Sequence, residues 1–535
     1  MKKIIFALII ILAIFLRLFK LGINPPSLYW DEASIGYNAY TIATSAQDEH
    51  GERLPISRFT AFGDYKPPGY IYAAVPSVVV FGLNELSVRL PSMLAGLLMV
   101  IMTYFLVREL FEREAIALLS SFFLSISPWA IQFSRAAFEA NLAACFNLLG
   151  IYFFILTGRK KWLLVLAVIF FMLSFYTFNS NRIIAPLLLI GLTFIYPKNI
   201  FRNIRWLIVS AIVATVLIYP SISYLKDRES RLRFQEVSIF NNLEPVKIAN
   251  ARIALDNDSR FAKLIHNRRI LFAADFLKHY FDNFSGRFLF THGDRNPRLS
   301  VQDMGELYVW DLIFLLIGIF MLVKNREKSL PVLLLWMAIV PIPAATARET
   351  PHALRILSIL PTSQIITAYG VHQLWIIVKR RFSTTTYRFL LSVICFLLSF
   401  NIFYYLHNYY IHYPIVWEGE WQYGYKQMVS YVLTNIDKYD HVFVTESLGR
   451  PYIYFAFYKP YHLADFLNER QANRDWFGFW DVSALGKIEF GFDELGKTPG
   501  RVLLVTTPGN IPNEYHLIAT IYNLKGDEVF VIAEK

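Results

Sequence analysis

The chain has 535 residues, of which 55% are hydrophobic and 17% are charged, and its formal net charge is +11. Soluble globular proteins carry about a quarter charged residues, and the mean hydropathy here is +0.39, so the composition excludes an ordinary soluble domain. The basic residues cluster between apolar runs, as membrane topology requires, which argues against nucleic acid as a partner. We therefore predict an all-α polytopic membrane protein.

The first apolar run, residues 4–20, follows Lys2 and Lys3 and lacks the small-residue cleavage site of a signal peptide. We interpret it as an uncleaved span that starts in the cytoplasm. Further runs approach the ~20 residues that a helix needs to cross a bilayer. With these runs the predicted total is eleven spans. The runs are 92–107, 115–133, 142–157, 162–178, 183–196, 206–222, 307–323, 330–346, 356–378 and 387–405.

The run Gly69–Leu83 is too short to be another span. It covers about 22 Å at ~1.5 Å per residue, against a hydrocarbon core of ~30 Å. If it does not cross, the basic clusters share the side of the N-terminus, as the positive-inside rule requires; they are Arg108/Arg113, Arg159–Lys161, Lys198/Arg202/Arg205, Lys324/Arg326/Lys328 and Lys379–Arg381. We therefore predict an interfacial helix, a cytoplasmic N-terminus and external loops at 21–91 and 223–306, in a cell-membrane protein.

The last part of the chain, residues 406–535, follows the eleventh predicted span and is expected outside the membrane as a small α/β domain. Its helical pattern covers Tyr425–Ile436. Its strand-like runs are 441–446, 501–507, 516–522 and 528–534. The sequence thus divides into a transmembrane module, 1–405, and an external domain, 406–535.

Two adjacent carboxylates, Asp31 and Glu32, stand in the stretch SLYWDEASIGYNAY just after the first span. A carboxylate at the membrane interface is costly unless it is solvated or paired, and its usual role is functional. The alternative is a structural one, because acidic residues suit the first turn of a helix, where the helix dipole stabilises them. The two interpretations are compatible, since a helix start also fixes the direction of a catalytic carboxylate.

Cationic side chains are predicted at the same external face, although the chain keeps its surplus basic residues inside. Each of them alone is also explained by a long side chain reaching to lipid headgroups. Together they indicate a site for an anionic headgroup such as a phosphate. They are Lys66 before the interfacial helix, Arg89 after it, Arg135 near Glu139 in the shortest external loop, and His352 and Arg355 at the mouth of the tenth span.

These motifs, in order and spacing over about residues 1–405, resemble the GT-C glycosyltransferases. Within that class they are most similar to glycosyltransferase family 39 and its RgtA-like group, relatives of the protein O-mannosyltransferases and aminoarabinose–lipid A transferases. The resemblance rests on the Asp-Glu pair after the first span, KPP at 66–68, N-E-x-x-x-R-L-P-S at 84–92 and S-R-x-x-x-E at 134–139.

The resemblance implies a polyprenyl-phosphate-linked sugar as donor, transferred with inversion on the external face to a glycan, lipid or protein acceptor. It implies Asp31 as the general base with Glu32 beside it, and phosphate contacts from Lys66, Arg89 and Arg135. Glu139 stands where many relatives carry Asp. The resemblance names no role for 406–535.

Two alternatives stay open at this point. A divalent metal such as Mg²⁺ or Mn²⁺ could be held by Asp31, Glu32 or Glu139, because carboxylate oxygens suit hard cations. The protein could also be a non-catalytic polyprenyl-lipid transporter or flippase. A transporter predicts ionisable residues at mid-span and matching halves, whereas the charges here collect at one face.

Overall fold

The computed structural model describes residues 1–62, 64–201, 204–226, 235–474 and 480–535. The chain forms two compact units. The first, called here the helical unit, comprises residues 1–16, 95–133 and 139–405, and the second, called here the mixed unit, comprises 17–94, 134–138 and 406–535. The predicted assignment of 1–405 and 406–535 as functional domains stays a prediction.

Helices make up most of the described chain. In chain order they are α1 (Lys2–Leu18), α2 (Trp30–Ser45), α3 (Gly69–Phe81), α4 (Glu85–Phe111), α5 (Glu114–Ile126), α6 (Pro128–Ser134), α7 (Glu139–Leu156), α8 (Leu163–Phe175), α9 (Asn181–Ile195), α10 (Pro197–Phe201), α11 (Ile204–Lys226), α12 (Glu244–Leu255), α13 (Arg260–Ile265), α14 (Arg268–Asp282), α15 (Val309–Lys324), α16 (Leu330–Ile339), α17 (Pro341–Ala345), α18 (Thr362–Arg381), α19 (Thr384–His407), α20 (Tyr413–Val416), α21 (Tyr425–Asn435), α22 (Pro451–Tyr458) and α23 (Leu463–Glu469). The structure also contains short strands, which are β1 (Phe59–Ala61), β2 (Asp64–Lys66), β3 (His441–Val444), β4 (Arg470–Arg474), β5 (Trp480–Leu485), β6 (Ile488–Phe490), β7 (Val502–Thr506), β8 (His516–Tyr522) and β9 (Glu528–Glu534).

Apolar helices of the helical unit follow the predicted spans closely. Among the described residues, four helices are long and apolar enough to cross a membrane, or five if the bent pair α5 and α6 forms one span. The bend of 58° occurs at Ser127, whose backbone is extended because the following Pro128 disfavours a helical conformation there. A helical membrane-type fold is thus confirmed, and the count of eleven spans stays a prediction.

Shorter apolar helices pack against one another within the same unit. Val168, Met172 and Phe175 of α8 form a buried cluster, and apolar side chains of α9 and α11 pack on it. α8 is apolar on all sides (LLVLAVIFFMLSF), which is typical of a helix surrounded by protein or lipid.

A seven-stranded sheet dominates the tail in the mixed unit, counted over the described residues, with the strand order β4-β5-β6-β3-β7-β9-β8. β3 is parallel to both β6 and β7, and the other pairs are antiparallel. Every residue of β7, an interior strand, is buried, as expected of a strand covered on both faces. This confirms a C-terminal sheet domain with the four predicted strands at β3, β7, β8 and β9.

The interfacial helix predicted at Gly69–Leu83 is helix α3, in the mixed unit. Its sequence contains Pro76, which removes one backbone hydrogen bond. Its 13 residues correspond to about 20 Å at ~1.5 Å per residue, less than the ~30 Å hydrocarbon core. Its length therefore fits the predicted non-crossing helix, and its position in a membrane stays a prediction.

The predicted orientation can be checked by labelling single cysteines with a membrane-impermeant reagent. Cysteines at exposed Ile56 and Ile265 should react from outside, and cysteines at exposed Lys160 and Arg326 should react only after permeabilisation, because the positive-inside rule places the basic loops in the cytoplasm. The background lacks Cys145 and Cys395, and Cys395 is itself exposed. Labelling of position 160 in intact cells would overturn this topology.

Candidate active site

Helix α2 begins directly at the predicted carboxylate pair. Tyr29 is its N-cap residue, with an extended backbone, and Asp31 and Glu32 lie in its first turn. The Glu32 side chain accepts a hydrogen bond from the Tyr29 backbone N–H at 3.3 Å, which satisfies a backbone donor at the helix start. The structural interpretation of the pair therefore holds for Glu32.

Glu32 is also half of a buried ion pair with Arg89, near the start of α4. Arg89 Nε and Nη2 donate to the two carboxylate oxygens of Glu32 at 3.0 and 3.1 Å. The remaining Arg89 donors bind the backbone carbonyls of the preceding loop, at Leu21 (3.1 Å), Pro25 (2.9 Å) and Ser27 (2.6 Å). All five N–H groups of this guanidinium therefore have partners within the protein, and the residue is fully buried.

The carboxylate of Glu32 is saturated in the same way. Besides the two Arg89 contacts and the Tyr29 N–H, its Oε1 accepts the Ala137 backbone N–H at 2.8 Å. These four bonds fill the acceptor positions of a carboxylate. Glu32 and Arg89 thus connect α2, α4, the loop 21–27 and the segment 134–138 through one buried contact.

Asp31 has a different environment, although it is the next residue. Lys66 Nζ lies 2.7 Å from Asp31 Oδ1; the lysine side chain is 8% exposed, whereas that of Asp31 is 45% exposed. Lys66 ends β2, which pairs with β1 in a two-stranded hairpin, so the hairpin directs the ammonium toward the helix start. The result is a solvent-accessible carboxylate held by a largely buried cation.

Arg135 lies in the same unit and is fully buried. Its Nη1 and Nη2 donate to the carbonyls of Arg17 and Asn24, each at 3.0 Å. Its guanidinium also lies 5.5 Å from the ring of Tyr409 and 5.1 Å from the ring of Tyr410, within the range of a cation–π interaction. These contacts fix the residue between the end of the first span and the start of the tail.

The other predicted site residues belong to the helical unit. Glu139 is the first residue of α7. His352 Nδ1 lies 3.8 Å from the carboxylate of Asp294, and Arg355 donates to the Glu349 carbonyl at 3.0 Å. The structure thus groups Asp31, Glu32, Lys66, Arg89 and Arg135 in one unit and Glu139, His352 and Arg355 in the other.

The carboxylate pair offers few ligands to a divalent metal. Glu32 has every acceptor position occupied by an N–H group, which leaves Asp31 as the carboxylate of the pair with an oxygen to offer. Mg²⁺ is usually bound by one or two carboxylates together with water and substrate phosphates. Across the described residues no group of three or more His, Cys, Asp or Glu side chains could hold a metal ion.

Sequence reasoning missed the tail residues that surround the start of α2. Gln422 Oε1 accepts the backbone N–H of Trp30 at 3.0 Å, and the Tyr454 hydroxyl lies 3.0 Å from the Leu28 carbonyl. Both come from the part of the chain for which no role was predicted. No local pattern signals them, since a lone Gln or Tyr is common in any α/β domain.

A second acidic group, in the loop predicted to be the first external one, was also missed. Glu49 is 1% exposed, and neither of its side-chain oxygens has a hydrogen-bond partner among the described residues. Burial, with a smaller contribution from the neighbouring Asp48, raises the pKa of Glu49 to about 8. Burial likewise raises the pKa of Asp48 to about 6. Arg470 donates to the Glu49 backbone carbonyl at 3.0 Å.

This group makes the stability of the fold depend on pH. Folded Glu49 keeps its proton up to a pH of about 8, whereas the unfolded chain releases it near 4.5. The unfolded state therefore binds fewer protons between these values, and stability falls as pH rises through that window. Glu49→Gln should melt at a progressively higher temperature than the wild type as pH rises from 5 to 8. The exposed Glu52, paired with Arg58 at 2.8 Å, provides the control Glu52→Gln, and a pH-independent difference for Glu49→Gln would contradict this prediction.

Comparisons with known proteins identify the relatives of this architecture. Residues 7–196 match the family model described as dolichyl-phosphate-mannose-protein mannosyltransferase. The protein described as "Putative mannosyltransferase YkcB" from Bacillus subtilis (strain 168) is 29% identical over 189 residues. That match covers 35% of this chain and 26% of the relative, so the chain spans about a quarter of the relative's length.

Solved structures extend the likeness to the whole chain. Apo ArnT from Cupriavidus metallidurans superposes with a TM-score of 0.54 at 13% identity, over 99% of this chain and 97% of that one. The structure of the same protein bound to undecaprenyl phosphate gives a TM-score of 0.52 at 12% identity, with the same coverage. At these identities the likeness concerns the fold.

The two kinds of match agree with the resemblance drawn from the Asp-Glu pair and the motifs at 66–68, 84–92 and 134–139. The family model covers all four of these motifs, and the structures cover the tail as well. The predicted membrane-protein class and the resemblance to glycosyltransferases are confirmed: residues 7–196 are similar to the dolichyl-phosphate-mannose-protein mannosyltransferases, and the whole chain shares the fold of ArnT.

Proposed function

We propose that the protein transfers a sugar from a polyprenyl-phosphate-linked donor to an acceptor hydroxyl or phosphate at the external face of the cell membrane, with inversion. The observation that carries the proposal is the contrast between the two carboxylates. Glu32 is buried and saturated, whereas Asp31 is exposed at a helix start and has one oxygen beyond its contact with Lys66. A general base needs such an accessible oxygen within hydrogen-bond reach of the substrate.

Inverting transfer with an acceptor hydroxyl then needs one step at Asp31. The carboxylate takes the proton of the hydroxyl while that oxygen forms a bond to the anomeric carbon. The bond from the anomeric carbon to the donor phosphate oxygen breaks on the opposite side, and the electron pair leaves with the lipid phosphate. A fixed cation near the leaving oxygen stabilises the charge that develops there.

Lys66 is the cation that we assign to the leaving phosphate. It adjoins Asp31 and ends a hairpin that holds its position, and a charged donor strengthens hydrogen bonds to phosphate. Arg89 has no N–H left for a ligand, so in this proposal it supports the helix start instead of contacting the donor. Arg135 takes the corresponding supporting role beside Tyr409 and Tyr410, and phosphate contacts by His352 and Arg355 and a role for Glu139 stay proposals.

Two further observations support this function. A protein of the same fold has been solved with undecaprenyl phosphate bound, which makes a polyprenyl phosphate a reasonable donor lipid here. The basic clusters of the sequence favour an external position for the Asp31 face. A glycan, a lipid or a protein is each chemically suitable as the acceptor.

Replacement of Lys66 tests the donor site. Lys66→Ala should weaken donor use about 10- to 100-fold, because a charge-assisted hydrogen bond contributes roughly 1.5–3 kcal/mol. The readout is the KM for a polyprenyl-phosphate sugar, measured with purified protein in detergent. The matched control is Lys426→Ala, which removes an exposed ion pair with Glu85 in the same unit. Equal effects of the two variants would mean that Lys66 does not contact the donor.

A further inference from the structure

A cavity of about 270 Å³ lies within the tail, beside the 3₁₀ turn Gly419–Trp421 and the connection between β8 and β9. This volume is close to the lower end of the roughly 300–1,000 Å³ of small-molecule sites, so it has room for one sugar-sized ring. The polar and aromatic residues among those that line it are Glu418, Gln422, Tyr423, Tyr425, Asn523 and Lys525.

Two of these side chains carry buried polar atoms that have no hydrogen-bond partner among the described residues. They are Oε1 of Glu418 and the hydroxyl of Tyr425. The other oxygen of Glu418 accepts the Leu524 backbone N–H at 2.5 Å, so the side chain is held while one oxygen stays unused. A buried polar atom without a partner costs free energy, and a ligand that pairs with it recovers that cost.

The surrounding contacts hold both groups in place. The Tyr425 ring stacks on Tyr454 at 4.2 Å and meets the edge of Phe530 at 5.1 Å. Glu418 is 3% exposed. A site whose polar groups are already oriented loses little conformational entropy when a ligand binds.

The chemistry of the cavity selects a neutral ligand with several hydroxyl groups. A sugar hydroxyl both donates and accepts, so it can donate to the Glu418 carboxylate, and another can accept from the Tyr425 phenol. The buried carboxylate disfavours an anionic lipid phosphate, and the ammonium of Lys525 is turned to the Val416 carbonyl at 3.2 Å. A donor phosphate therefore fits this cavity poorly.

The cavity adjoins the start of α2 within the mixed unit. Its lining residue Gln422 accepts the backbone N–H of Trp30 at 3.0 Å, and Trp30 is the residue before Asp31. Gln422 also accepts the Tyr454 hydroxyl at 2.5 Å and donates to the Leu448 carbonyl at 2.8 Å. One side chain thus connects the cavity wall to the backbone that positions the proposed base.

We propose that this cavity binds a sugar residue of the acceptor. The assignment to the acceptor rests on the proposed function, whereas the binding of a neutral sugar stands on the cavity alone. The tail then contributes an acceptor subsite that Gln422 connects to the helix start carrying Asp31, a role that neither its composition nor its strand pattern indicates.

Binding is tested without turnover, by saturation-transfer NMR on the full-length protein in detergent. The probes are methyl glycosides of glucose, galactose, mannose and N-acetylglucosamine. We expect at least one to bind, and Glu418→Gln and Tyr425→Phe to weaken that binding 5- to 20-fold. Tyr425→Phe keeps the ring stacking, so this variant still tests the site even if Glu418→Gln folds poorly. Glu420→Gln, at an exposed neighbour outside the cavity, should bind as the wild type does.

The outcomes separate this inference from the proposed function. Absence of binding for all four glycosides, or equal binding by the cavity variants and the wild type, would overturn it. If binding occurs and depends on Glu418 and Tyr425 while no donor is ever turned over, the sugar site stands and the proposed transfer fails. If transfer occurs and the cavity variants leave the KM for the acceptor unchanged, the acceptor assignment is overturned.

Discussion

Asp31→Asn should reduce turnover by about the ~10²–10⁴-fold that general base catalysis contributes. The replacement is nearly isosteric but cannot accept the proton of the acceptor hydroxyl. Asp31 is half-exposed and its contact with Lys66 involves one oxygen, so the folded state should persist. Donor binding should also persist, because Lys66 keeps its position in the hairpin. The measurement is kcat with saturating donor, beside donor affinity for the same preparation.

The neighbouring carboxylate provides a contrast within the same motif. Glu32→Gln places an amide against Arg89 and the Ala137 N–H, so its loss of activity should accompany a loss of folded protein. Asp31→Asn should show the opposite combination, with normal folding and slow chemistry. Wild-type turnover in Asp31→Asn would leave Asp31 as a helix-start residue and remove it from the mechanism.

Arg89→Ala should destabilise the mixed unit by about 3–5 kcal/mol, the usual cost of removing one partner of a buried ion pair. The substitution leaves the Glu32 carboxylate buried without its cation. It also removes the hydrogen-bond donor of the Leu21, Pro25 and Ser27 carbonyls. The measurement is the thermal unfolding of purified protein, followed by tryptophan fluorescence. Arg89→Lys should recover little, since an ammonium cannot reproduce five donors in a fixed plane.

A matched ion pair at the surface is available as the control. Arg113 lies 2.8 Å from Glu327 with a side chain that is 43% exposed. Exposed pairs contribute about 0–1 kcal/mol, so Arg113→Ala should shift the melting temperature very little. Equal shifts for Arg89→Ala and Arg113→Ala would show that the buried contact does not hold the helix start together.

Much of the fold could be predicted because the length of an apolar run and the alternation of apolar and polar residues are properties of the local sequence. The strands predicted at 516–522 and 528–534 coincide with β8 and β9. Helix α18 begins at Thr362, later than the predicted 356, since Leu360 precedes Pro361 and takes an extended conformation. β4 was missed because its sequence, RQANR, has one apolar residue among four polar ones, and only its pairing with β5 makes it a strand.

The sequence predicts which residues lie near the site, but it does not predict which of them form ion pairs with one another. External acids and cations near Asp31 follow from charge placement, but successive helical residues point about 100° apart, so one carboxylate faces the interior and the other faces solvent. Which of them is buried depends on Arg89 and Ala137, from distant parts of the chain. The tail residues Gln422 and Tyr454 carry no local signal, because their contribution arises only from tertiary contacts.

The most direct test of the account is release of polyprenyl phosphate from a panel of polyprenyl-phosphate sugars. Purified wild-type protein and Asp31→Asn are incubated side by side with each donor, with a membrane extract as the source of acceptors. We predict that the wild type releases polyprenyl phosphate from at least one donor and that Asp31→Asn releases it at least ~100-fold more slowly. Equal release by the two proteins, or no release by the wild type from a donor that it binds, would contradict the account.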